Sequence, residues 1–358
     1  MQLAIVGNGA TAVDTAGRRF VNRHTARFLI ELASSGHGVT YIEPQVSLQA
    51  NGNLQDGELP PQSVRSQPMS KHRPLDLWRT LLALIRADLV YIFFPGTLPR
   101  AVALWCRLVK KPYALYLRGE RFGIEGRDAE IFRSARFVCS VGGLGERVRS
   151  LNPRVIPVQP MLDLGPTDAH RRTIEPRQRQ LWRLLFVGRL EAAKGVPELI
   201  RAAELLQARG FPFQLLLVGG GPLHASLFDR FGNTPGATIR VAGIIDNKAQ
   251  LHAEYEAADV FVLPTHHEGF PRVLYEAMMK SNLILTTFVG GIPGVMRDQE
   301  NAVRIPVRDA EAIANAIMAA TADVSKAQRL MDSALDTVLD ILLRHPTHHA
   351  AVMGNLHD

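Results

Sequence analysis

The chain has 358 residues, of which 46% are hydrophobic and 21% charged, and its formal net charge is +7. This composition is typical of globular proteins and excludes a disordered or fibrous chain; no run approaches the ~20 apolar residues of a membrane span, and the first residues do not follow the pattern of a secretory signal. A cytoplasmic location is therefore expected, and the positive charge favours an anionic partner.

Strand and helix patterns alternate along the first half of the chain. Residues 2–6 and 38–43 predict strands with a helix at 24–35 between them, and the polar stretch 47–74 predicts a long loop. The alternation resumes with helices at 75–86 and 98–110 and with strands at 88–94, 112–118, 136–141 and 155–159. Repeated strand-helix-strand units predict a parallel sheet covered on both faces.

The second half repeats this alternation after a polar linker with two prolines at residues 164–180. Its strand patterns, separated by helical ones, lie at 182–188, 213–221, 238–243, 259–264 and 283–288. The sequence thus predicts an α/β protein of two Rossmann-like doubly wound domains, at residues 1–163 and 181–333, that face an interdomain cleft. Cys106 and Cys139 lie in apolar runs, which predicts two buried free thiols.

Residues 7–12, "GNGATA", follow the first strand and match G-x-G-x-x-A, close to the fingerprint of dinucleotide-binding folds. Glu43 ends the second strand, where that fingerprint places an acidic residue. Gly17 interrupts the helix that the fingerprint requires. We therefore predict a flexible loop over residues 7–22, in which Gly17 and Arg18 approach donor phosphate or acceptor. An NAD(P)-dependent oxidoreductase remains the alternative.

A pair of cations follows the first strand of the second half. Arg189 and Lys194 lie in the short loop between the strand that ends at Gly188 and the next helix. Two cations beside a helix N-terminus form a natural site for a diphosphate. Solvated surface charges are the alternative interpretation.

A second motif combines two carboxylates with a helix start. Glu268 follows the strand "DVFVLP", Gly269 permits close backbone approach, and Pro271 fits the first turn of a helix that carries Glu276. Carboxylates at this E-x7-E spacing accept hydrogen bonds from ligand hydroxyls, while the helix N-terminus meets phosphate oxygens. The pattern suits a sugar nucleotide. The alternative for Glu268 is a simple capping interaction.

The order G-R-L-x3-K-G, E-G-F-x5-E-A and G-G-x-P across residues 184–297 resembles the retaining family-4 glycosyltransferases (glycosyl transferases group 1), which have the GT-B fold. The resemblance implies that Arg189 and Lys194 hold the donor diphosphate and stabilise the leaving group, and that Glu268 contacts hydroxyls of the transferred sugar. The remaining donor contacts that it implies are Gly269, Phe270, Pro271 and, at the nucleotide ribose, Glu276.

The same resemblance implies the reaction. A hexose would pass from a UDP- or GDP-sugar to a glycan or lipid-linked acceptor in cell-surface polysaccharide or glycolipid synthesis, with retention and front-face attack. No cofactor and no metal are expected, because the two cations do the work of a metal. Residues 334–358 would form a helical segment that packs back on the first domain, as the family's C-terminal helices do.

Three features depart from the family's pattern, one of which is that the paired glycines of the N-terminal loop are absent, with Gly17-Arg18-Arg19 as the nearest approximation. Arg118 stands where many members have histidine, and Gly294 replaces the acidic residue of G-G-x-P-E. An arginine is a poor general base, so Arg118 and the nearby Glu120 are assigned to acceptor or active-site contacts. Arg118 and Gly294 motivate a further alternative, a non-catalytic homologue that binds a nucleotide sugar.

Residues 65–111 are strongly basic, with nine Lys or Arg against Asp76 and Asp88, and contain bulky apolar residues such as Trp78 and Trp105. Such a mixture is expected of helices that rest on an anionic membrane surface, here the inner face of the membrane. A solvated basic face over an apolar core is the alternative, and nucleic acid is not expected as a partner.

Overall fold

The computed structural model of the chain describes residues 1–47, 55–69, 74–119, 121–162, 164–174, 181–269 and 271–356. The chain divides into two compact units. Unit 1 comprises Met1–Met161 and His345–Asp358, and unit 2 comprises Leu162–Arg344. No helix within the described ranges is long and apolar enough to cross a membrane.

Unit 1 is built on a parallel sheet. Its strands within the described residues are β1 (Gln2–Val6), β4 (Gly38–Glu43), β7 (Val64–Pro68), β8 (Leu89–Phe94), β9 (Tyr113–Leu117), β10 (Val138–Ser140) and β11 (Val155–Pro157). Their order in the sheet is β11-β10-β9-β8-β1-β4-β7. Every residue of β8 and β9 is buried, as expected for central strands covered on both faces.

Unit 1 also contains a small second sheet, whose first strand begins shortly after β1 ends. Its strands are β2 (Thr11–Val13), β3 (Arg19–Val21), β5 (Gln45–Ser47) and β6 (Gly57–Glu58), in the order β5-β2-β3-β6. Two loop predictions are therefore wrong. Residues 7–22 contain the β2–β3 hairpin, and the predicted loop at 47–74 contains β6 and β7. The polar strand β7 lies at the sheet edge, where burial does not impose an apolar pattern.

Unit 2 repeats the parallel arrangement. Its strands within the described residues are β12 (Trp182–Val187), β13 (Phe213–Val218), β14 (Ile239–Gly243), β15 (Val260–Leu263), β16 (Leu283–Thr286) and β17 (Val303–Arg304). They are ordered β14-β13-β12-β15-β16-β17. The predicted fold class, two doubly wound α/β sheets, is confirmed.

Helices cover these sheets. In chain order they are α1 (Arg23–Ser34), α2 (Pro74–Arg86), α3 (Thr97–Leu108), α4 (Gly126–Ser134), α5 (Val196–Ala208), α6 (His224–Phe231), α7 (Lys248–Ala257), α8 (Arg272–Met279), α9 (Ala310–Ala322), α10 (Val324–Arg344) and α11 (His348–Gly354). Helix α1 begins where predicted, because the Asn22 side chain accepts from the His24 N–H. Helices α4 and α9 were not predicted.

The two cysteines are buried free thiols, as predicted. Burial raises the pKa of each thiol to about 12, so both stay protonated at neutral pH. Their role is that of small apolar side chains in the core of unit 1.

Candidate functional site

The strand order of unit 2 singles out one place on its sheet. Counted from β12, the order is 3-2-1-4-5-6, so successive connections turn in opposite directions between β12 and β15. Loops at the carboxyl ends of two such strands diverge and leave a crevice that binds ligands in open α/β sheets. Arg189 and Lys194 follow β12, and Glu268 follows β15. The predicted donor residues therefore flank this crevice.

Backbone contacts hold the two loops together. The His266 N–H donates to the Ala193 carbonyl at 2.9 Å. Gly195 has φ +71°, and a side chain there would overlap the Pro264 carbonyl oxygen. Only glycine fits this approach without strain. The loop that carries Lys194 is thus fixed directly against the loop that follows β15.

Lys194 and Glu268, which lie 74 positions apart in sequence, form an ion pair between Nζ and Oε1. Their side chains are 21% and 13% exposed. Arg189 is more open, 48% exposed, and its Nε lies 3.1 Å from an oxygen of Glu191. The cations expected to hold a diphosphate are therefore each beside a carboxylate in this structure, and an incoming anion would compete with that carboxylate.

The loop with Arg189 is shaped by the glycines after β13. Gly219 has φ +135°, and a Cβ there would overlap the Gly188 carbonyl oxygen. The Leu190 N–H donates to the Gly220 carbonyl at 2.8 Å, and Leu190 itself is fully buried. This packing fixes the backbone on both sides of Arg189 and leaves its side chain outside.

The start of α8 is tied to the next loop along the chain. The Gly291 N–H donates to the Gly269 carbonyl at 2.6 Å, and Pro271 is the N-cap residue, with no side-chain capping bond. The Glu268 side chain pairs with Lys194. Phe270, also predicted to contact the donor, lies outside the described residues.

Glu276 has a partner that the sequence did not reveal. The hydroxyl of Tyr255, on α7, donates to Oε2 of Glu276 at 2.8 Å. Tyr255 is fully buried, and burial together with the Glu276 charge raises its pKa well above the usual value. A permanently protonated phenol therefore orients this carboxylate. Tyr255 and Glu276 lie 21 residues apart on different helices, so no local sequence pattern predicted their contact.

A further pair lies beside Lys194. Nε2 of His266 is 3.2 Å from Oε1 of Glu198, in the first turn of α5, while Oε2 of Glu198 is buried without a hydrogen bond. Sequence analysis missed both residues. The doubled histidine of "THHEGF" was the available signal, since polar residues at the carboxyl end of a buried strand face the crevice.

Arg118 lies at the corresponding edge of unit 1, directly after β9. Its guanidinium lies over the rings of Phe93 and Tyr116, with centroid distances of 5.2 and 6.0 Å. Its Nη1 approaches the side-chain oxygen of Asn8 at 3.4 Å, and the Asn8 amide donates to the Pro95 carbonyl at 3.2 Å. Asn8 follows β1, Pro95 follows β8 and Arg118 follows β9, so these residues end three consecutive strands of the sheet. Glu120 lies outside the described residues.

The glycine-rich stretch after β1 is followed by a strand and not by a helix. The Glu43 carboxylate accepts from the Gly9 N–H at 2.7 Å and from the Thr11 hydroxyl at 3.2 Å. Burial raises the pKa of Glu43 above its usual value, against these hydrogen bonds. Strand β2 then begins at Thr11. The fingerprint geometry that a dinucleotide requires, glycines opening directly into a helix, is therefore not formed.

Gly17 and Arg18 form a tight turn with Asp14. Gly17 has φ +80°, and one oxygen of Asp14 accepts from the Ala16 and Arg18 N–H groups at 3.0 and 2.8 Å. The Arg18 guanidinium binds the other oxygen at 2.7 Å. This turn lies in unit 1. Among the described residues no three His, Cys, Asp or Glu side chains are placed to hold a metal ion.

Glycosyltransferases are among the proteins whose sequences are similar to this chain. Residues 182–323 match the family model of glycosyl transferases group 1. TuaC of Bacillus subtilis, provisionally named as a teichuronic acid biosynthesis glycosyltransferase, is 29% identical over 246 residues, which cover 64% of this chain and 60% of TuaC. A glycogen synthase of Mycobacterium tuberculosis is 33% identical over 148 residues, covering 41% of this chain and 35% of that protein. The chain thus spans between about a third and three fifths of these relatives.

Solved structures share the fold over the whole chain. Sucrose-phosphate synthase from Thermosynechococcus elongatus aligns with a TM-score of 0.65 at 20% identity, covering 100% of this chain and 98% of that one. HepE of Anabaena, solved in complex with UDP-glucose, aligns with a TM-score of 0.64 at 14% identity and the same coverage. The fold is therefore GT-B.

Proposed function

We propose that this chain, whose residues 182–323 belong to the glycosyl transferases group 1 family, transfers a hexose from a nucleotide-diphosphate sugar to a glycan or lipid-linked acceptor. The observation that carries the proposal is the ion pair of Lys194 with Glu268 at the β12/β15 crevice of the matched unit, where Arg189 lies in the same loop as Lys194. The UDP and UDP-glucose complexes of HepE support a nucleotide-sugar donor, and we choose UDP-glucose as the first donor to test.

In this proposal the ion pair opens when the donor binds. The diphosphate takes Lys194 and Arg189 from their carboxylate neighbours, and Glu268 turns to the sugar hydroxyls. Glu276, oriented by Tyr255, binds the nucleotide ribose. Because Lys194 is only 21% exposed, its charge acts on the diphosphate with little screening by water.

The bond between the sugar and the diphosphate then breaks with retention of configuration. The acceptor oxygen attacks the anomeric carbon from the face that the diphosphate leaves, and the acceptor proton passes to the departing phosphate oxygen. Lys194 and Arg189 stabilise the negative charge that develops on the diphosphate, so the step uses neither a protein nucleophile nor a metal. We assign Arg118 and Asn8 of unit 1 to the acceptor.

A ligand panel followed by product analysis tests this function. Millimolar UDP, GDP, ADP, NAD and NADP are compared for their effect on the thermal midpoint, because a ligand of the native state raises it. UDP or GDP is expected to stabilise the protein, and UDP-glucose with glycan and lipid-linked acceptors is expected to give an α-linked product by NMR. Stabilisation by NAD or NADP alone would overturn the proposal. Nucleotide binding without transfer or hydrolysis would indicate the non-catalytic homologue instead.

A further inference from the structure

Helix α2 exposes large apolar side chains on its outer face, although Leu84 on its inner face packs into the core of unit 1. Asp76 and Thr80 are 7% and 4% exposed and face unit 1, and the Thr80 hydroxyl is buried without a hydrogen bond. Trp78 and Ile85 are 58% and 53% exposed. These two lie seven positions apart, on one side of the helix and opposite Thr80. An outward apolar stripe of this kind marks an interaction surface more often than a solvated one.

The stripe continues beyond the end of the helix. The Lys111 ammonium donates to the Ile85 carbonyl at 2.7 Å, which fixes the turn after α3 beside the end of α2. Leu108, the last residue of α3, is 82% exposed, and Val109, which caps the helix, is 49% exposed. We call Trp78, Ile85, Leu108 and Val109 the apolar patch.

Three arginines flank the patch on α2 and on the neighbouring edge strand. Arg65, Arg79 and Arg86 line one cavity of about 110 Å³, together with the polar side chain of Gln67. None of the three guanidinium groups forms an ion pair with another described residue. A guanidinium cluster with hydrogen-bond donors to spare is suited to a phosphate group.

We propose that α2 is a docking surface for an anionic phospholipid bilayer, in which the apolar patch enters the acyl boundary and Arg65, Arg79 and Arg86 receive headgroup phosphates. The juxtaposition of exposed bulky apolar groups and a basic cavity on one helix carries this assignment. A second copy of the chain fits the surface less well, because it too has a net charge of +7. The inference is independent of the transferase reaction.

Vesicle sedimentation with the full chain tests the surface. Binding is expected to vesicles of phosphatidylcholine with 30% phosphatidylglycerol, a composition chosen for this test at about one charge in three headgroups, and to fall steeply in high salt. The double variant Trp78→Ser/Ile85→Ser is expected to lower the partition coefficient at least about tenfold. Its matched control is Phe228→Ser/Leu343→Ser, which removes two exposed apolar groups of unit 2.

The charge contribution has its own pair of variants. Arg79→Gln/Arg86→Gln is expected to weaken binding to charged vesicles by about tenfold, and Arg201→Gln/Arg329→Gln, in unit 2, is expected to leave it unchanged. Tryptophan emission gives a direct readout, because Trp182 is buried and Trp105 is partly buried against the core, whereas Trp78 is exposed. The blue shift on vesicle addition should disappear in Trp78→Phe, while sedimentation persists.

Four outcomes would overturn the proposal. They are absence of binding to charged vesicles, equal binding to pure phosphatidylcholine, equal loss in the control variants, and a Trp78-dependent dimer without vesicle binding. Salt-sensitive binding to a nucleic-acid oligomer that survives Trp78→Ser/Ile85→Ser, with no vesicle binding, would assign the basic cavity to nucleic acid instead.

Discussion

The two units share a doubly wound parallel sheet and differ in the side chains that lie at the carboxyl ends of its strands. Counted along the chain within each parallel sheet, the strand order is 3-2-1-4-5-6 in unit 2 and the same with a seventh strand at the end in unit 1, so both have a crevice between the first and fourth strands. Both also fix a helix end with a buried asparagine: Asn152 donates to the Phe132 and Ala135 carbonyls, and Asn282 to those of Tyr255 and Ala258. Strand order therefore sets the position of a site, not its chemistry.

The chemistry differs in how charges are held. At the crevice of unit 2, Lys194 meets Glu268 in an ion pair that an anionic ligand can open. In unit 1, Glu43 is bound to the backbone of its own glycine stretch, and Arg118 lies over aromatic rings. The comparison indicates that an anionic ligand can replace Glu268 as the partner of Lys194 in unit 2. At the equivalent edge of unit 1, Glu43 and Arg118 have their partners within the unit.

The largest expected effect concerns that ion pair. Lys194→Ala should lower kcat/KM for transfer at least about 100-fold, since it removes a cation from the leaving group. Lys326→Ala, which removes an exposed lysine of the same unit, is the control. Glu268→Gln should reduce transfer while tightening UDP itself, because Lys194 then has no competing carboxylate. Unchanged transfer in Lys194→Ala would contradict the assigned site.

Glycine substitutions test how rigidly each edge is built. Gly219→Ala sets a Cβ against the backbone of Gly188 at φ +135°, and should cost about 3 kcal/mol or more of unfolding free energy. Gly7→Ala meets only the side-chain ends of Tyr41 and Glu43, and should cost about 1–2 kcal/mol. Urea unfolding measures both, with Gly210→Ala as a control for positive φ in open space. The reverse order of cost would refute the contrast.

The terminal helix of unit 1 makes stability depend on pH. His348 stacks on Phe28 with centroids 4.3 Å apart, and its Nε2 is 2.6 Å from the Tyr91 hydroxyl. Burial lowers the pKa of His348 well below its usual value. Stability is therefore full above pH 6.5 and falls as the pH drops, by about 1 kcal/mol for this group at pH 5.5. His348→Gln should flatten that slope in thermal unfolding, and His252→Gln should not.

The smallest effect is expected at Glu43. Since burial raises its pKa, the ionised form is disfavoured in the folded state at neutral pH, and this cost disappears as the pH falls below the carboxyl's ordinary value. Glu43→Gln keeps an acceptor for the Gly9 N–H and should raise stability by about 1 kcal/mol at most at pH 7.5. Thermal midpoints at pH 7.5 and 4.5 should show this gain shrinking. A loss of stability at pH 7.5 would mean that the charge itself is required.

The sequence by itself determined the alternation of strands and helices, the two doubly wound halves and the donor motifs, because burial and glycine geometry leave periodic and local traces. It misassigned the 47–74 segment, since the edge strand β7 is polar. Tertiary structure alone decided that Lys194 faces Glu268, that Tyr255 orients Glu276 and that α2 turns its apolar stripe outward. These contacts join residues far apart in sequence or depend on which helix face the sheet accepts, and no local pattern encodes either.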